Sequence, residues 1–265
     1  KVIGIDRDPI AHERAAERLA PWRDRVIQRR AAFGDTVDVL DELGIERVSG
    51  ILLDLGVSST QIDSADRGFS FRLTGPLDMR MGPDTDLTAA AVVNTWPARE
   101  IARVLRLYGE EKRAGAIAHG IVRARPIDTT ENLVAAIGPR GTNRPEKTLA
   151  RVFQAIRIAV NGELDQLERV LDEIIDRIEV GGRIVVIAYH SLEDRIVKHW
   201  MRREATDCIC PANMPVCVCD HRARLRLITR RAITPTEREI HDNPRARSAK
   251  MRVAERIAAS ADTDR

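Results

Sequence analysis

The chain opens KVIGIDRDP (residues 1–9), and the reading of those nine residues decides the fold. Val2, Ile3 and Ile5 make a short apolar run that ends in Asp6. Behind Arg7, Asp8 and Pro9 comes an amphipathic stretch, IAHERAAERLA. The pattern is that of a buried strand, an acid at its carboxyl end, and a Pro near the first turn of a helix. Working outward, RVIQ (25–28) is a candidate strand. DTVDVLDELG (35–44) is a short helix with Val37, Leu40 and Leu43 on one face and Gly44 as its stop. VSGILLDLG (48–56) is the clearest buried strand so far and again ends in an acid, Asp54. Strands and helices alternating at this spacing predict βαβ units and a parallel sheet.

From about residue 84 to 149 strand character disappears. LTAAAVVNTW, PAREIARVLRLYG, KRAGAIAHGIVRAR and TTENLVAAIG are helical patterns separated by Pro and Gly. Two more helical stretches, RVFQAIRIAVN and ELDQLERVLDEIIDRI, lead through VGG (180–182) to a buried strand, RIVVIAYHS, after which HSLEDRIVKHWMRRE resumes as helix. LRLITRR (225–231) and AKMRVAERI (249–257) alternate as strands do and predict a closing antiparallel pair. The expected fold is α/β, a doubly wound core over residues 1–80 and 150–265 interrupted by a helical insertion over 81–149.

Composition fits one large domain or a domain with an insertion: 265 residues, 43% apolar and 31% charged. No apolar run approaches the roughly 20 residues that span a bilayer, and no export leader is visible, so the expected location is cytoplasmic. Net charge is +3. Residues 195–265 hold 16 Lys and Arg against nine Asp and Glu, which points to a polyanionic partner such as nucleic acid. A solvated Arg-rich surface is the plain alternative.

In open parallel sheets ligands sit at the carboxyl ends of the strands, near the point where strand order reverses. Asp6, Asp54 and His190 are expected along that edge. An acid after such a strand commonly accepts both hydroxyls of a ribose diol, although Asp6 reads equally well as a helix N-cap. Phe33 can stack on an adenine or fill the core. Ser58, Ser59 and Gln61 follow the strand that ends at Asp54, where they would grip a ligand or simply form a turn. Cys208, Cys210, Cys217 and Cys219 stand together in CICPANMPVCVC, two C-x-C pairs that can converge on Zn²⁺ or remain four free thiols.

Six segments together resemble one family: DLGVSSTQID (54–63), RGFSFRLTGPLDMRM (67–81), YGEE (108–111), FQAIRIAVNGEL (153–164), YHSLEDRIVK (189–198) and NPRARSAKMR (243–252). They are similar to the ribosomal RNA small-subunit methyltransferase H family over residues 1 to about 257. The resemblance implies a Rossmann-like core with an inserted helical domain. It also implies methyl transfer from S-adenosylmethionine to the N4 amine of a cytidine in the decoding region of 16S rRNA. By motif, Asp6 would bind the cofactor ribose, Phe33 would line the adenine pocket, and Asp54 and Gln61 would contact the cofactor. Members of that family carry an upstream strand, a Gly-rich loop and a helix before the segment that opens here. The expectation is therefore a longer natural protein, a gap or unnatural pairing in the sheet, and weak cofactor binding by these residues alone.

An exocyclic cytosine amine is a poor nucleophile because its lone pair is delocalised into the ring. Catalysis must align it with the sulfonium methyl and offer acceptors for its protons. Ser58 in the loop after Asp54 and Asp78 in GPLDMRM are candidate acceptors, and His190 is the candidate for proton removal near neutral pH, or else a structural His. Arg99, Arg103, Arg106, Lys112 and Arg113 would face RNA with NPRARSAKMR, supplying phosphate contacts, while 3% aromatic content argues against extensive base stacking. The implied partner is 16S rRNA or the small ribosomal subunit, with no membrane. The oligomeric state, a homodimer included, is left open. A dinucleotide-dependent oxidoreductase and a non-catalytic RNA-binding assembly factor are the rival readings.

Overall fold

In the computed structural model, which describes residues 1–138, 145–211, 214 and 216–258, the opening run forms β1 (Val2–Asp6), paired in parallel with β2 (Val26–Arg30). Between them runs α1 (Pro9–Leu19), with Pro9 in its first turn and Asp8 as its N-cap. Residues 139–144 of the expected insertion and 259–265 of the basic tail lie outside the described residues. The chain divides into two compact units, Lys1–Arg30 with Val57–Glu163 and Ala31–Gly56 with Leu164–Arg265.

The first unit holds β1, α1 and β2. It also holds the short α3 (Ser59–Asp63) and five further helices, α4 (Ala89–Thr95), α5 (Ala98–Leu107), α6 (Ala114–Arg123), α7 (Thr130–Ile137) and α8 (Pro145–Asn161). Helical spacing explains their packing. On α5, Ile101, Val104 and Leu105 are buried while Arg99, Arg103 and Arg106 point to solvent. Ile117 and Ile121 of α6, Leu133 of α7 and Ile156 of α8 join them in one core that runs from Phe69 to Val160 in sequence. Gly75 lies so close to the preceding loop that a Cβ there would stand 1.9 Å from the Ala65 carbonyl oxygen, which leaves no room for any other residue.

The second unit holds α2 (Thr36–Glu42), most of α9 (Glu163–Ile174), α10 (Ser191–Glu204) and α11 (Glu237–Asp242), around a four-stranded sheet. Its order is β3 (Val48–Asp54), β4 (Ile178–Ala188), β6 (Lys250–Arg256), β5 (Leu225–Leu227), with β3 and β4 parallel and the other two pairings antiparallel. Alternation on β4 buries Ile184, Val186 and Ala188. The sequence reading starts this strand at Arg183, yet it begins at Ile178. Two steps on β3, Val48 to Gly50, face five on β4, Ile178 to Arg183, and Gly181 at φ 87° supplies the turn of the bulge. Among the described residues β1 pairs only with β2 and β3 only with β4, and Val2 (63%) and Leu52 (62%) on these strands are exposed.

On α10, Asp194 receives Arg252 Nε (2.8 Å) and Lys250 Nζ (3.2 Å), both from β6. Burial raises the Asp194 carboxyl, but these hydrogen bonds and charges outweigh it and hold the group below its ordinary 3.8. A carboxyl depressed in the folded state contributes stability that is present above the unfolded value and is lost as pH falls through the folded value. Urea midpoints of the protein and of Asp194→Asn should therefore differ by a constant amount above about pH 5 and converge as the pH falls through the depressed folded value. A gap independent of pH would remove the ion pair from the account.

Candidate functional site

Asp6 stands exposed at the tip of β1. Its Oδ1 accepts the Asp8 N–H at 2.8 Å and its carbonyl lies 2.7 Å from His12 Nε2, so the carboxylate is held in place with one oxygen open. The helix cap is two residues on. Asp8, 2% exposed, accepts the Ile10 N–H through Oδ1 (3.1 Å), and through Oδ2 it accepts Gln61 Nε2 (2.8 Å) and Arg67 Nη1 (2.9 Å). Gln61 is itself buried. Its Oε1 takes the Ser58 N–H (2.9 Å) and its own N–H donates to Ser58 Oγ (3.2 Å), a capping box that starts α3. Both ends of the Gln61 amide are thus spent inside the protein. Ser58 stays exposed, its hydroxyl oxygen turned to the helix start.

Arg67 continues this network, donating through Nη2 to the carbonyls of Arg80 (3.1 Å) and Met81 (3.0 Å). Asn161, at the end of α8, fixes the same loop from another side. It accepts the Met81 N–H and donates to the Met79 carbonyl, both at 2.8 Å. Met79 is fully buried with φ 61°, a left-handed conformation that an L side chain adopts at a penalty of about 1–2 kcal/mol. The strained residue sits next to Asp78. That carboxylate accepts the Arg80 N–H (2.9 Å), Nε (2.9 Å) and Nη2 (2.8 Å). Burial raises the Asp78 carboxyl, but the Arg80 hydrogen bonds and charge, with Arg67 behind them, hold it below its usual range. Three of its roughly four lone-pair positions are taken, leaving one acceptor free. Asp8, Arg67, Asp78, Arg80, Met81 and Gly82 line a cleft of about 280 Å³. That volume is at the small end of ligand clefts.

In the second unit Asp54 is exposed at the tip of β3 and accepts the Tyr189 hydroxyl at 3.1 Å. Burial, then the Asp54 charge, push the Tyr189 phenol above its usual value, so it stays a proton donor. Tyr189 and His190 follow β4, and both backbone N–H groups donate to Glu193 Oε2 (2.9 and 3.2 Å). His190 is the N-cap of α10. Its Nδ1 accepts the Glu193 N–H at 3.4 Å, whereas the buried Nε2 makes no hydrogen bond among the described residues although Glu193 Oε1 lies 3.1 Å away. The imidazole, 9% exposed, is engaged in its own helix start through Nδ1 alone. Phe33 is half-buried in the turn after β2, and its carbonyl accepts the Thr36 hydroxyl at 2.7 Å.

Of the residues singled out in the sequence, Asp6, Ser58, Gln61 and Asp78 lie in the first unit and Phe33, Asp54 and His190 in the second. The first group is joined through Asp8 and Arg67, and Asp54 is joined to His190 through Tyr189 and Glu193. Sequence reasoning passed over these four connecting residues and Asn161. Asp8 carried a signal, being an Asp directly before a Pro at a helix start. Glu193 carried one too, three residues past the cap in HSLE, hidden because His stands where Ser or Thr is expected. Arg67 and Asn161 act across long sequence separations and had none.

A family model described as the MraW methylase family matches residues 1–257. The chain is 51% identical over 263 residues to the ribosomal RNA small subunit methyltransferase H of Pelobacter propionicus, covering 97% of this chain and 84% of that one. It is 46% identical to the protein of the same name from Carboxydothermus hydrogenoformans, with 97% and 85% covered. For that of Thermomicrobium roseum the identity is 49%, with 97% and 81% covered. Among the described residues no helix is long and apolar enough to cross a membrane.

Proposed function

The chain belongs to the MraW methylase family, and from that membership we propose that it transfers a methyl group from S-adenosylmethionine to the N4 amine of a cytidine in 16S rRNA, in the cytoplasm. The observation that carries this reading is Asp6. A parallel β–α–β unit presents an exposed carboxylate at its strand tip, aimed by the Asp8 N–H and open on one oxygen, as a ribose diol requires. Asp54, Phe33 and Gln61 enter as cofactor contacts by the resemblance. For Gln61 the geometry favours an indirect part, since its amide holds Asp8. The remaining acceptor of Asp78, an anion because Arg80 keeps it so, is suited to receive an amine proton from a base seated in the adjoining cleft. S-adenosylmethionine supplies the electrophilic methyl. The residues align the amine and draw off its protons as nitrogen becomes tetrahedral. The exposed Arg99, Arg103, Arg106, Lys112 and Arg113 offer phosphate contacts.

The test is tritium transfer from S-adenosylmethionine to small ribosomal subunits lacking the modification, using the protein with whatever its gene encodes ahead of Lys1 included. Digested nucleosides should carry the label as N4-methylcytidine. Label on another base, or none with intact RNA binding, would refute the assignment in favour of a different target or an assembly factor. The same assay addresses His190. His190→Asn keeps a cap acceptor and removes the imidazole, so turnover should fall at unchanged cofactor affinity if the ring takes a proton. Unchanged turnover would leave it a cap.

A further inference from the structure

The methyl-transfer reading gives no work to the four cysteines between α10 and β5. Their Sγ atoms nonetheless converge. Cys208 and Cys217 are 3.5 Å apart, Cys217 and Cys219 3.6 Å, Cys208 and Cys219 3.9 Å, and Cys210 and Cys217 4.0 Å. All four lie within 4.8 Å of one another. A tetrahedral ion with Zn–S bonds of about 2.3 Å needs sulfurs about 3.8 Å apart, the middle of that range. A disulfide requires about 2.05 Å, far below every one of these separations. A polynuclear iron–sulfur cluster would seat the cysteines on different metal atoms and spread them further.

The backbone repeats the pattern twice. Ile209, inside the first C-x-C pair, donates its N–H to Cys219 Sγ at 3.4 Å, and Val218, inside the second, donates to Cys210 Sγ at 3.4 Å. Each pair thus supplies an N–H to the last sulfur of the other, the kind of donor that stabilises thiolate ligands. Among the described residues of the loop the large apolar side chains do not hold the sulfurs together, for Ile209 (49%), Val216 (69%) and Val218 (66%) all face solvent. The four thiols face one another in a loop that is itself at the surface, Cys208 and Cys217 being exposed. Its feet are tied down: the Arg224 N–H donates to the Glu204 carbonyl at 2.8 Å, and the Ala223 N–H to Asp207 Oδ1 at 3.1 Å.

We propose that Cys208, Cys210, Cys217 and Cys219 bind one Zn²⁺ in a closed tetrahedral site that folds this loop. With four protein ligands no position is left for water or substrate, so the ion is structural. Its binding displaces thiol protons and supplies the folding free energy that burial does not.

Protein purified from cells under reducing, chelator-free conditions, then gel-filtered in dilute EDTA to strip loosely held metal, should contain about one zinc per chain by mass spectrometry. The Cys210→Ser, Cys219→Ser double variant should contain essentially none. Cobalt substitution should give the intense visible bands and sulfur charge-transfer absorption of a tetrahedral thiolate site. In the zinc-loaded protein all four thiols should resist a disulfide reagent until a mercurial releases the ion. Zinc-free protein with four promptly reactive thiols, a pair of disulfides in reduced preparations, or one iron in place of zinc would each overturn the proposal. Metal content is read on the unaltered chain, so the test stands even if the variant folds poorly.

Discussion

Replacing Asp8 with Ala should destabilise the protein by about 3–5 kcal/mol, the loss typical when one partner of a buried ion pair is removed. Three interactions end together. The first turn of α1 loses the acceptor for Ile10, worth about 0.5–2 kcal/mol as a cap. Gln61 Nε2 is left without its 2.8 Å partner in a buried setting, a penalty of about 1–3 kcal/mol. The Arg67 guanidinium, its side chain 18% exposed, keeps its charge with no carboxylate beside it. These terms share neighbours and do not add. Arg67 also holds the carbonyls of Arg80 and Met81, so the change propagates to the cleft. The thermal midpoint should drop by on the order of 10 °C. Asp8→Asn keeps the shape and the cap acceptor for Ile10 but sets an NH₂ against Gln61 and Arg67 in place of the charged oxygen, so it should fall between. A midpoint for Asp8→Ala within about 2 °C of the parent would mean that the Asp8–Gln61–Arg67 network does not hold the fold in solution.

The same residues show how far the sequence could be read. Short apolar runs led directly to β1, β2, β3 and β4, because consecutive Val, Ile and Leu leave a dense local signature, as in IVVIA. Period-3.6 spacing did the same for α5, α6 and α8. Strand tips followed from strand ends, so Asp6 and Asp54 were visible as candidates. What the sequence concealed is who binds whom. The choice between Asp6 and Asp8 as cap depends on a single step of backbone geometry, and an Asp serves either role. Gln61 was read as a ligand contact because polar residues after a strand commonly are. Its burial against Asp8, 53 residues away in sequence, is a tertiary fact without a local trace. The Gly181–Gly182 pair was placed ahead of the strand and is the bulge of β4, since glycine marks an unusual backbone and leaves open which one.

Asp6→Asn should weaken binding of S-adenosylmethionine or its demethylated product by about 10- to 100-fold while leaving the unliganded protein's thermal midpoint in place. The variant is chosen for what it retains. The Asn side-chain oxygen can still accept the Asp8 N–H that now reaches Asp6 Oδ1 at 2.8 Å, so the turn into α1 survives. That orientation presents the amide NH₂ where the free carboxylate oxygen stood. Two ribose hydroxyls that donated to an anion would then meet a donor, and a hydrogen bond to a charged group is worth about 1.5–3 kcal/mol. Calorimetric affinity, with whatever the gene encodes ahead of Lys1 included, measures the loss. Turnover at saturating cofactor should change little, because the ribose is remote from the transferred methyl and its contacts are made equally in ground and transition states. The two readings of Asp6 then separate cleanly: a residue that only shapes the turn gives unchanged affinity in Asn, and that result would remove the ribose contact on which the cofactor assignment rests.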